Sequence, residues 1–133
     1  FHIGGQPYLD GGAADAIPYQ RALDVGCDRV IVVLTRPRDY IKKPEKLQKA
    51  IEKKYAQYPA FCETMRHRAE EYNASREKLF ALEREGKVLV IAPKTTHGVS
   101  RIERDVKKLR TLWQEGFDDA HQRMDEIRAY LQR

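Results

Sequence analysis

Two short apolar runs constrain the fold of this chain more than any other feature of its sequence. Residues 29 to 35 read RVIVVLT, and residues 87 to 93 read KVLVIAP. Unbroken runs of β-branched and aliphatic residues are typical of parallel strands whose two faces are both covered by helices. The sequence therefore predicts an α/β protein with parallel strands near residues 29–34 and 88–92.

The segment before the first run has the features of a crossover helix. Pro18 stands where a helix tolerates proline, in its first turn, and Gly26 stands where a helix ends. A third strand is predicted near residues 7–9, in the stretch PYLD. This strand, a helix over 18–25 and the first apolar run would together form a βαβ unit.

The first residues predict a tight hairpin. Gly4 and Gly5 lie in the middle of the stretch IGGQPYL. Two consecutive glycines can supply the positive φ angles that a two-residue hairpin turn requires.

The rest of the chain has mostly helical periodicity. After a basic loop that closes at Pro44, apolar residues recur every three or four positions until the second apolar run. Beyond that run, Ser100 and Glu103 have the spacing of a capping box, which predicts a helix that begins there and ends at Gly116. Ile102, Val106, Leu109 and Trp113 form its apolar face. A last helix is predicted after Gly116.

Composition excludes several classes of protein. The 133 residues carry a net charge of +5, from 25 Lys and Arg against 20 Asp and Glu, which favours anionic partners without identifying one. No basic cluster interleaved with aromatic residues, zinc-finger spacing or RNA-binding signature occurs in the sequence, so we expect no nucleic-acid partner. Cys27 and Cys62 have no motif spacing and are predicted to be reduced and buried.

The sequence also bears on where the protein is located in the cell and on whether the chain is part of a longer protein. No apolar run is long enough to span a bilayer and no signal peptide is visible, which predicts a cytoplasmic protein, with peripheral contact at a membrane as an open alternative. The chain begins with Phe1 rather than Met, and its first residues are typical of the interior of a sheet. We therefore expect it to be a piece of a longer protein.

The tripeptide Asp10-Gly11-Gly12 has two interpretations. Asp-Gly is a common turn pair, so the tripeptide alone favours a structural turn. If a strand precedes it, however, Asp10 lies at the carboxyl edge of a parallel sheet, where α/β proteins bind ligands and catalyse reactions. The glycines would then let the backbone turn with positive φ and approach a loop that carries a serine.

The wider pattern resembles the patatin-like phospholipases, in particular the bacterial branch with a helical C-terminal extension. The likeness is clear over residues 6–38. The pattern consists of Asp10-Gly11-Gly12, Asp15, Pro18, Gly26 and the stretch DRVIVVLTRP.

The resemblance implies the C-terminal part of a three-layer α/β/α fold. Residues 1–40 would be the C-terminal part of the catalytic domain. Residues 41–133 would be a helical C-terminal extension with one further strand, packed on the same core. No metal or other cofactor is implied.

In that family the aspartate of this motif and a serine form a Ser-Asp dyad that hydrolyses acyl esters. By residue match Asp10 would be the catalytic aspartate, with Gly11 and Gly12 as its supporting turn. The glycine-rich oxyanion loop and the G-x-S-x-G elbow with the serine do not occur in these residues. The resemblance therefore implies that the missing N-terminal part of the same protein supplies them, and that this chain alone is inactive on the lipid ester substrate.

Basic residues suggest contacts with lipid. Arg36 and Arg38 follow the first apolar run, and we expect them at the same sheet edge as Asp10, where a planar guanidinium suits the phosphate of a head group. A group of lysines is expected either to touch an anionic membrane or to form an ordinary solvated face. They are Lys42, Lys43, Lys46, Lys49, Lys53 and Lys54.

Two other functions stay open. The chain could be a non-catalytic helical domain that binds a partner or a membrane surface. Alternatively, Ser100 and His97 could form a hydrolase site within the chain, although the spacing to Glu103 favours Ser100 as a helix cap.

Overall fold

The computed structural model describes residues 2–100 and 102–132, and these form five α-helices, four short strands and a 3₁₀ turn. The strands are β1 (His2–Ile3), β2 (Gln6–Pro7), β3 (Val30–Val33) and β4 (Val88–Ile91). The helices are α1 (Tyr19–Asp24), α2 (Gln48–Lys54), α3 (Pro59–Arg84), α4 (Val106–Gln122) and α5 (Met124–Leu131). The architecture is mixed α/β, as the sequence predicted.

The two apolar runs form a parallel pair of strands. In the register of β3 and β4, Val30 lies opposite Val88 and Val33 lies opposite Ile91. The expectation that both faces are covered is met by β4, in which Val88, Leu89 and Val90 are all buried. It is not met by β3, because Val33 is 69% exposed.

The predicted hairpin is confirmed. β1 and β2 pair antiparallel, with Ile3 opposite Gln6, and two glycines connect them. Gly4 and Gly5 have φ angles of +57° and +80°. Glycine adopts this region without the steric cost that a Cβ imposes, so the sequence specifies the turn directly.

The strand predicted near residues 7–9 is wrong. β2 ends at Pro7, which has no N–H to continue a ladder. Tyr8 and Leu9 are 52% and 59% exposed, so burial does not favour a strand there either. α1 confirms the helix predicted over residues 18–25 to within one residue at each end. Its predicted role in a βαβ unit is wrong, because β4 and not the PYLD stretch is the parallel neighbour of β3.

α4 begins later than the capping-box spacing predicted. Its N-cap is Asp105, whose side chain accepts hydrogen bonds from the N–H groups of Lys107 and Lys108 at 2.9 and 3.4 Å. The Ser100 N–H does donate to the Glu103 carboxylate at 3.4 Å, but this bond closes a turn ahead of the helix. Ser100 is therefore not the helix cap.

Gly116 does not end the helix. α4 continues through it to Gln122, and α5 follows almost at once. Gly116 is not among the glycines with positive φ, so it adopts helical backbone rather than the left-handed geometry of a C-terminal cap. The predicted boundary is wrong because tertiary context overrides the weak helix propensity of one glycine.

The chain divides into two compact units. The first comprises Phe1–Pro18 and Ile41–Leu79, and the second comprises Tyr19–Tyr40 and Phe80–Arg133. The predicted boundary between residues 40 and 41 stays a prediction.

Each unit has its own buried residues. In the first unit, Leu79 is fully buried and Cys62 is 7% exposed. In the second, Val90 is fully buried and Tyr130 is 6% exposed. The prediction for the cysteines is correct for Cys62 and wrong for Cys27, which is exposed.

The helices of the described residues differ from membrane spans. None of them combines the length and the apolar composition that crossing a bilayer requires.

Candidate functional site

Asp10 lies in an exposed turn of the first unit. It is the N-cap of the 3₁₀ turn Gly11–Ala13, and its Oδ1 accepts a hydrogen bond from the Gly12 N–H at 2.7 Å. A hydrogen bond from an amide to a carboxylate is short and strong, which fixes the orientation of this side chain. No other described residue donates a hydrogen bond to the Asp10 carboxylate, so its second oxygen is open to a partner outside the turn.

The glycine at position 12 is explained by the nearby Asp10 carboxylate rather than by a positive φ angle. Neither Gly11 nor Gly12 has positive φ, so the prediction that these glycines adopt it is wrong. A Cβ at position 12 would lie 3.1 Å from Oδ1 of Asp10, whereas one at position 11 would meet nothing within 4 Å. Gly12 therefore leaves room for the carboxylate that bonds to its own N–H.

Arg68 of α3 binds the backbone of the same turn. Its Nη2 and Nε donate to the carbonyl oxygen of Gly12 at 2.9 and 3.3 Å. Its Nη1 donates to Glu45 at 3.0 Å, and the side chain is only 17% exposed. Asp10 and Arg68 thus bind the N–H and the carbonyl of one glycine, which restrains the turn.

A small cavity of about 40 Å³ lies beside this turn. Its lining includes Gly12, Asp15, Arg68 and Tyr72, but not Asp10. A space of this size accommodates water but not a lipid chain. This cavity is therefore too small to bind the acyl chain of a lipid.

The predicted setting of Asp10 is wrong in one respect. Asp10 does not follow a parallel strand, because β2 is an antiparallel hairpin strand that ends three residues earlier, at Pro7. The role of Asp10 itself stays a prediction.

Arg36 and Arg38 lie in the second unit and follow β3, as predicted. Arg38 forms a bidentate pair with Glu83 at 2.6 and 2.7 Å, and its Nη2 also donates to the carbonyl oxygen of Val90 at 3.2 Å. The hydrogen bond and charge of Glu83 raise the pKa of Arg38 against the effect of burial. The guanidinium of Arg36 lies 5.2 Å from the ring centre of Tyr40.

These contacts bear on the expected phosphate site. A phosphate at Arg38 would compete with a carboxylate that already occupies the planar donor face of the guanidinium. Arg36 is stacked on an aromatic ring rather than paired with Glu83. The phosphate contact stays a prediction for both residues.

An open cleft of about 470 Å³ lies at the carboxyl end of the β3–β4 pair. Sequence reasoning missed two cations that line it, Lys94 and Arg123. Arg123 donates to the carbonyl oxygen of Val90 at 2.8 Å and pairs with Glu126 at 2.7 Å, while Lys94 lies 4.0 Å from Asp119. Because each cation is accompanied by a carboxylate, the cleft has no excess positive charge that would indicate an anion site.

Ser100 and His97 have other partners in the second unit. The Nε2 atom of His97 shares hydrogen bonds with the Glu115 carboxylate at 2.7 and 2.8 Å. Ser100 is exposed, and its N–H bonds to Glu103. These contacts do not activate the Ser100 hydroxyl.

The lysines of the 42–54 segment differ from one another. The Lys42 side chain is 16% exposed and pairs with Glu45 at 3.7 Å, so it faces the protein. The others are exposed: Lys43, Lys46, Lys49, Lys53 and Lys54. Membrane contact through them stays a prediction. Within residues 2–100 and 102–132, no group of three or more His, Cys, Asp and Glu side chains has an arrangement suited to a metal ion.

Part of the chain matches a known family of protein domains. A family model described as Domain of unknown function (DUF6363) matches residues 58–132, which is more than half of the chain. No curated protein and no solved structure matches. The matched region contains α3, β4, α4 and α5, and it lies outside the Asp10 turn.

Proposed function

The chain belongs to the family described as a domain of unknown function, DUF6363, and we propose that it is the C-terminal portion of a patatin-like serine acyl-ester hydrolase. In this proposal Asp10 is the aspartate of a Ser-Asp dyad, and the serine lies in a segment outside these residues. The substrate is a phospholipid, a lysophospholipid or a related lipid ester, and the reaction uses no cofactor.

The observation that carries the proposal is the ordered Asp10 carboxylate. One oxygen is bound by the Gly12 N–H at 2.7 Å, so the side chain is oriented, and the exposed residue can reach a partner outside its own turn. A general base requires a fixed orientation together with an accessible lone pair. Arg68 supports this arrangement because it restrains the Gly12 carbonyl.

In the proposed reaction Asp10 accepts the proton of the serine hydroxyl while the serine oxygen attacks the acyl carbonyl. Backbone amides of the glycine-rich loop outside this chain stabilise the oxyanion. The ester bond breaks, and the alcohol leaves with the proton from Asp10. Water then attacks the acyl-enzyme, Asp10 accepts its proton and returns it to the serine, and the fatty acid is released.

The same proposal extends to the sheet. β3 and β4 are each paired with one strand in the described part of the chain, and Val33 is 69% exposed. Parallel strands are normally buried on both faces and flanked by further strands. We propose that the rest of the protein adds strands and a helical layer to form a three-layer α/β/α fold.

The test uses the longer protein that carries both this chain and the serine elbow. Asp10→Asn keeps an oxygen that can accept the Gly12 hydrogen bond but removes the base, so the fold should survive while kcat falls by roughly 10²–10⁴-fold. The measurement is release of fatty acid from a lysophospholipid. A folded Asp10→Asn protein with kcat near that of the wild type would contradict the proposal.

Asp15→Asn is the matched control. Asp15 is an exposed aspartate in the same segment, and it accepts a hydrogen bond from the Ile17 N–H at 3.1 Å in the same way that Asp10 binds Gly12. We expect Asp15→Asn to retain kcat within about threefold, since it changes charge and local bonding but not the base.

A second experiment addresses Ser100. The 133-residue chain is treated with a fluorophosphonate probe, which labels activated serines. We expect no adduct, because Ser100 has no activating base among its described contacts. A stoichiometric adduct on Ser100 would favour the Ser100-His97 site instead.

A further inference from the structure

We propose that one exposed face of α4 inserts into the surface of an anionic lipid membrane. This inference stands independently of the proposed hydrolase. The α4 face is defined by Val106, Leu109, Trp113 and Phe117.

The α4 face is apolar and open. Its four side chains are 58%, 42%, 67% and 56% exposed, in chain order. Their spacing of three or four residues places them on one side of the helix. The rings of Trp113 and Phe117 stack with their centres 5.9 Å apart, so the two largest side chains form one continuous aromatic surface.

The opposite side of α4 faces the rest of the second unit, to which the helix belongs. Leu112, Glu115 and Asp119 are all partly buried. Glu115 bonds to His97, and Asp119 lies 4.0 Å from Lys94. An amphipathic helix of a globular protein normally turns its apolar side toward the core, so the reversed orientation of α4 indicates an interaction surface.

The two sides of α4 differ in how their cations are paired, while its one exposed acidic residue, Asp118, accepts a hydrogen bond from Gln114 at 2.9 Å. Lys107 and Arg110 flank the α4 face, and neither forms an ion pair with a carboxylate of the described residues. Lys108 lies on the other side of the helix and pairs with Glu103 at 3.9 Å. Trp113 and Arg110 line an open cleft of about 540 Å³ together with Thr111, Gln114 and Glu115.

These features fit a lipid surface. A helix that lies in the membrane interface combines Trp, Phe and Leu on one side with Lys or Arg at the border, where the cations meet anionic head groups. Tryptophan in particular favours the boundary between head groups and acyl chains. An anionic bilayer offers acyl chains to the apolar side chains of the α4 face and negative head groups to Lys107 and Arg110.

Trp113 is the only tryptophan of the chain, so its fluorescence reports on this face directly. The chain is mixed with vesicles of phosphatidylcholine and phosphatidylglycerol in equal amounts, or of phosphatidylcholine alone. We expect co-sedimentation and a blue shift of the Trp113 emission with the anionic vesicles, and at least tenfold weaker binding to the neutral ones. No blue shift, or equal binding to both vesicles, would overturn the proposal.

Variants separate the α4 face from the rest of the charged surface. Leu109→Ser combined with Phe117→Ser changes exposed side chains only and leaves the reporter in place, and it should weaken binding at least tenfold. Lys107→Glu combined with Arg110→Glu should do the same. Far-UV circular dichroism verifies that each variant is folded.

The matched control is Lys78→Glu combined with Arg84→Glu, which also replaces one lysine and one arginine and changes the net charge by the same amount at exposed positions outside α4. We expect less than a twofold change in vesicle binding. A larger loss in this control than in the Lys107 and Arg110 variant would overturn the assignment to α4. Sedimentation velocity without lipid tests whether a second copy of the chain covers the α4 face instead. That alternative would replace the membrane proposal if the wild type self-associates without binding vesicles and the Leu109→Ser, Phe117→Ser variant does not self-associate.

Discussion

The hydroxyl group of Tyr130 accepts a hydrogen bond from the backbone N–H of Val30 at 3.1 Å. The same hydroxyl donates to the carbonyl oxygen of Lys87 at 2.9 Å. Val30 begins β3, and Lys87 directly precedes β4. A single side chain of α5, only 6% exposed, therefore joins the amino ends of both parallel strands.

The first prediction concerns this contact. Tyr130→Phe keeps the ring but removes the hydroxyl, which leaves buried backbone groups without their partner. We expect the free energy of unfolding to fall by about 1–3 kcal/mol. Urea unfolding followed by circular dichroism measures the change. Tyr58→Phe is the control, because Tyr58 is 41% exposed, and a loss there as large as that of Tyr130→Phe would argue against a specific role for the Tyr130 hydroxyl.

The strands β3 and β4 and the hairpin could be predicted because each of these elements is specified locally. The unbroken apolar composition of β3 and β4 favours strands, and Gly4 and Gly5 supply the positive φ angles of a tight turn. The bond between Tyr130 and Val30 spans 100 positions, and that between Arg68 and Gly12 spans 56. No local pattern encodes such distant partners, so the roles of Tyr130 and Arg68 could not be predicted from the sequence.

The incorrect predictions have a related cause. The sequence shows the apolar spacing of α4, but spacing does not state what covers a face, and in the structure Trp113 is 67% exposed. The sequence also predicts that Arg38 follows β3, but its pairing with Glu83, a residue at the end of α3, has no local signal. The stretch Asp10-Gly11-Gly12 forms a turn, as its composition favours, whereas the strand predicted before it does not form because Pro7 ends the pairing.

The second prediction contrasts two glycines. Gly26 follows α1 with a φ of +85°, and its N–H donates to the Leu23 carbonyl at 3.0 Å. Alanine is strained in this conformation, so we expect Gly26→Ala to lower the free energy of unfolding by about 1–2 kcal/mol. A Cβ at position 26 would meet nothing within 4 Å, so we expect the loss of stability to come from the strained φ angle alone.

Gly116→Ala should have the opposite sign. Gly116 lies inside α4, and a Cβ there would meet nothing within 4 Å. Alanine reduces the entropy of the unfolded chain, so we expect a gain of about 0.5–1 kcal/mol. Thermal unfolding of both variants checks the pair. Destabilisation by Gly116→Ala would show that α4 does not continue through this residue.

The third prediction concerns the restraint on the Asp10 turn. Arg68→Ala removes both hydrogen bonds to the Gly12 carbonyl, so we expect the turn to open more often. Hydrogen exchange of the Gly12 and Ala13 amides, measured by NMR, should accelerate by at least about threefold. The control is Arg66→Ala, because Arg66 is 50% exposed and pairs with Glu52 and Glu63 instead. Equal acceleration in both variants would argue against a specific restraint by Arg68.

The fourth prediction concerns the titration of His67 on α3. Its Nδ1 lies 3.1 Å from the Glu70 carboxylate and its Nε2 lies 2.9 Å from that of Glu63. The hydrogen bonds to Glu70 and then to Glu63 raise the pKa of His67 above the ordinary value of 6.5. Because the pKa is raised in the folded state, the stabilisation is fully present below the unfolded value and is lost as the pH rises through the folded one.

A proton NMR titration of the His67 ring should therefore give a midpoint above 6.5. In the protein with both Glu63→Gln and Glu70→Gln the midpoint should return to about 6.5, since the charges that favour the imidazolium are gone. Added salt at about 1 M should reduce the shift of the wild-type protein, because the groups are exposed and screening acts on them fully. A midpoint at or below that of the double variant would mean that the two carboxylates do not hold the His67 ring in solution.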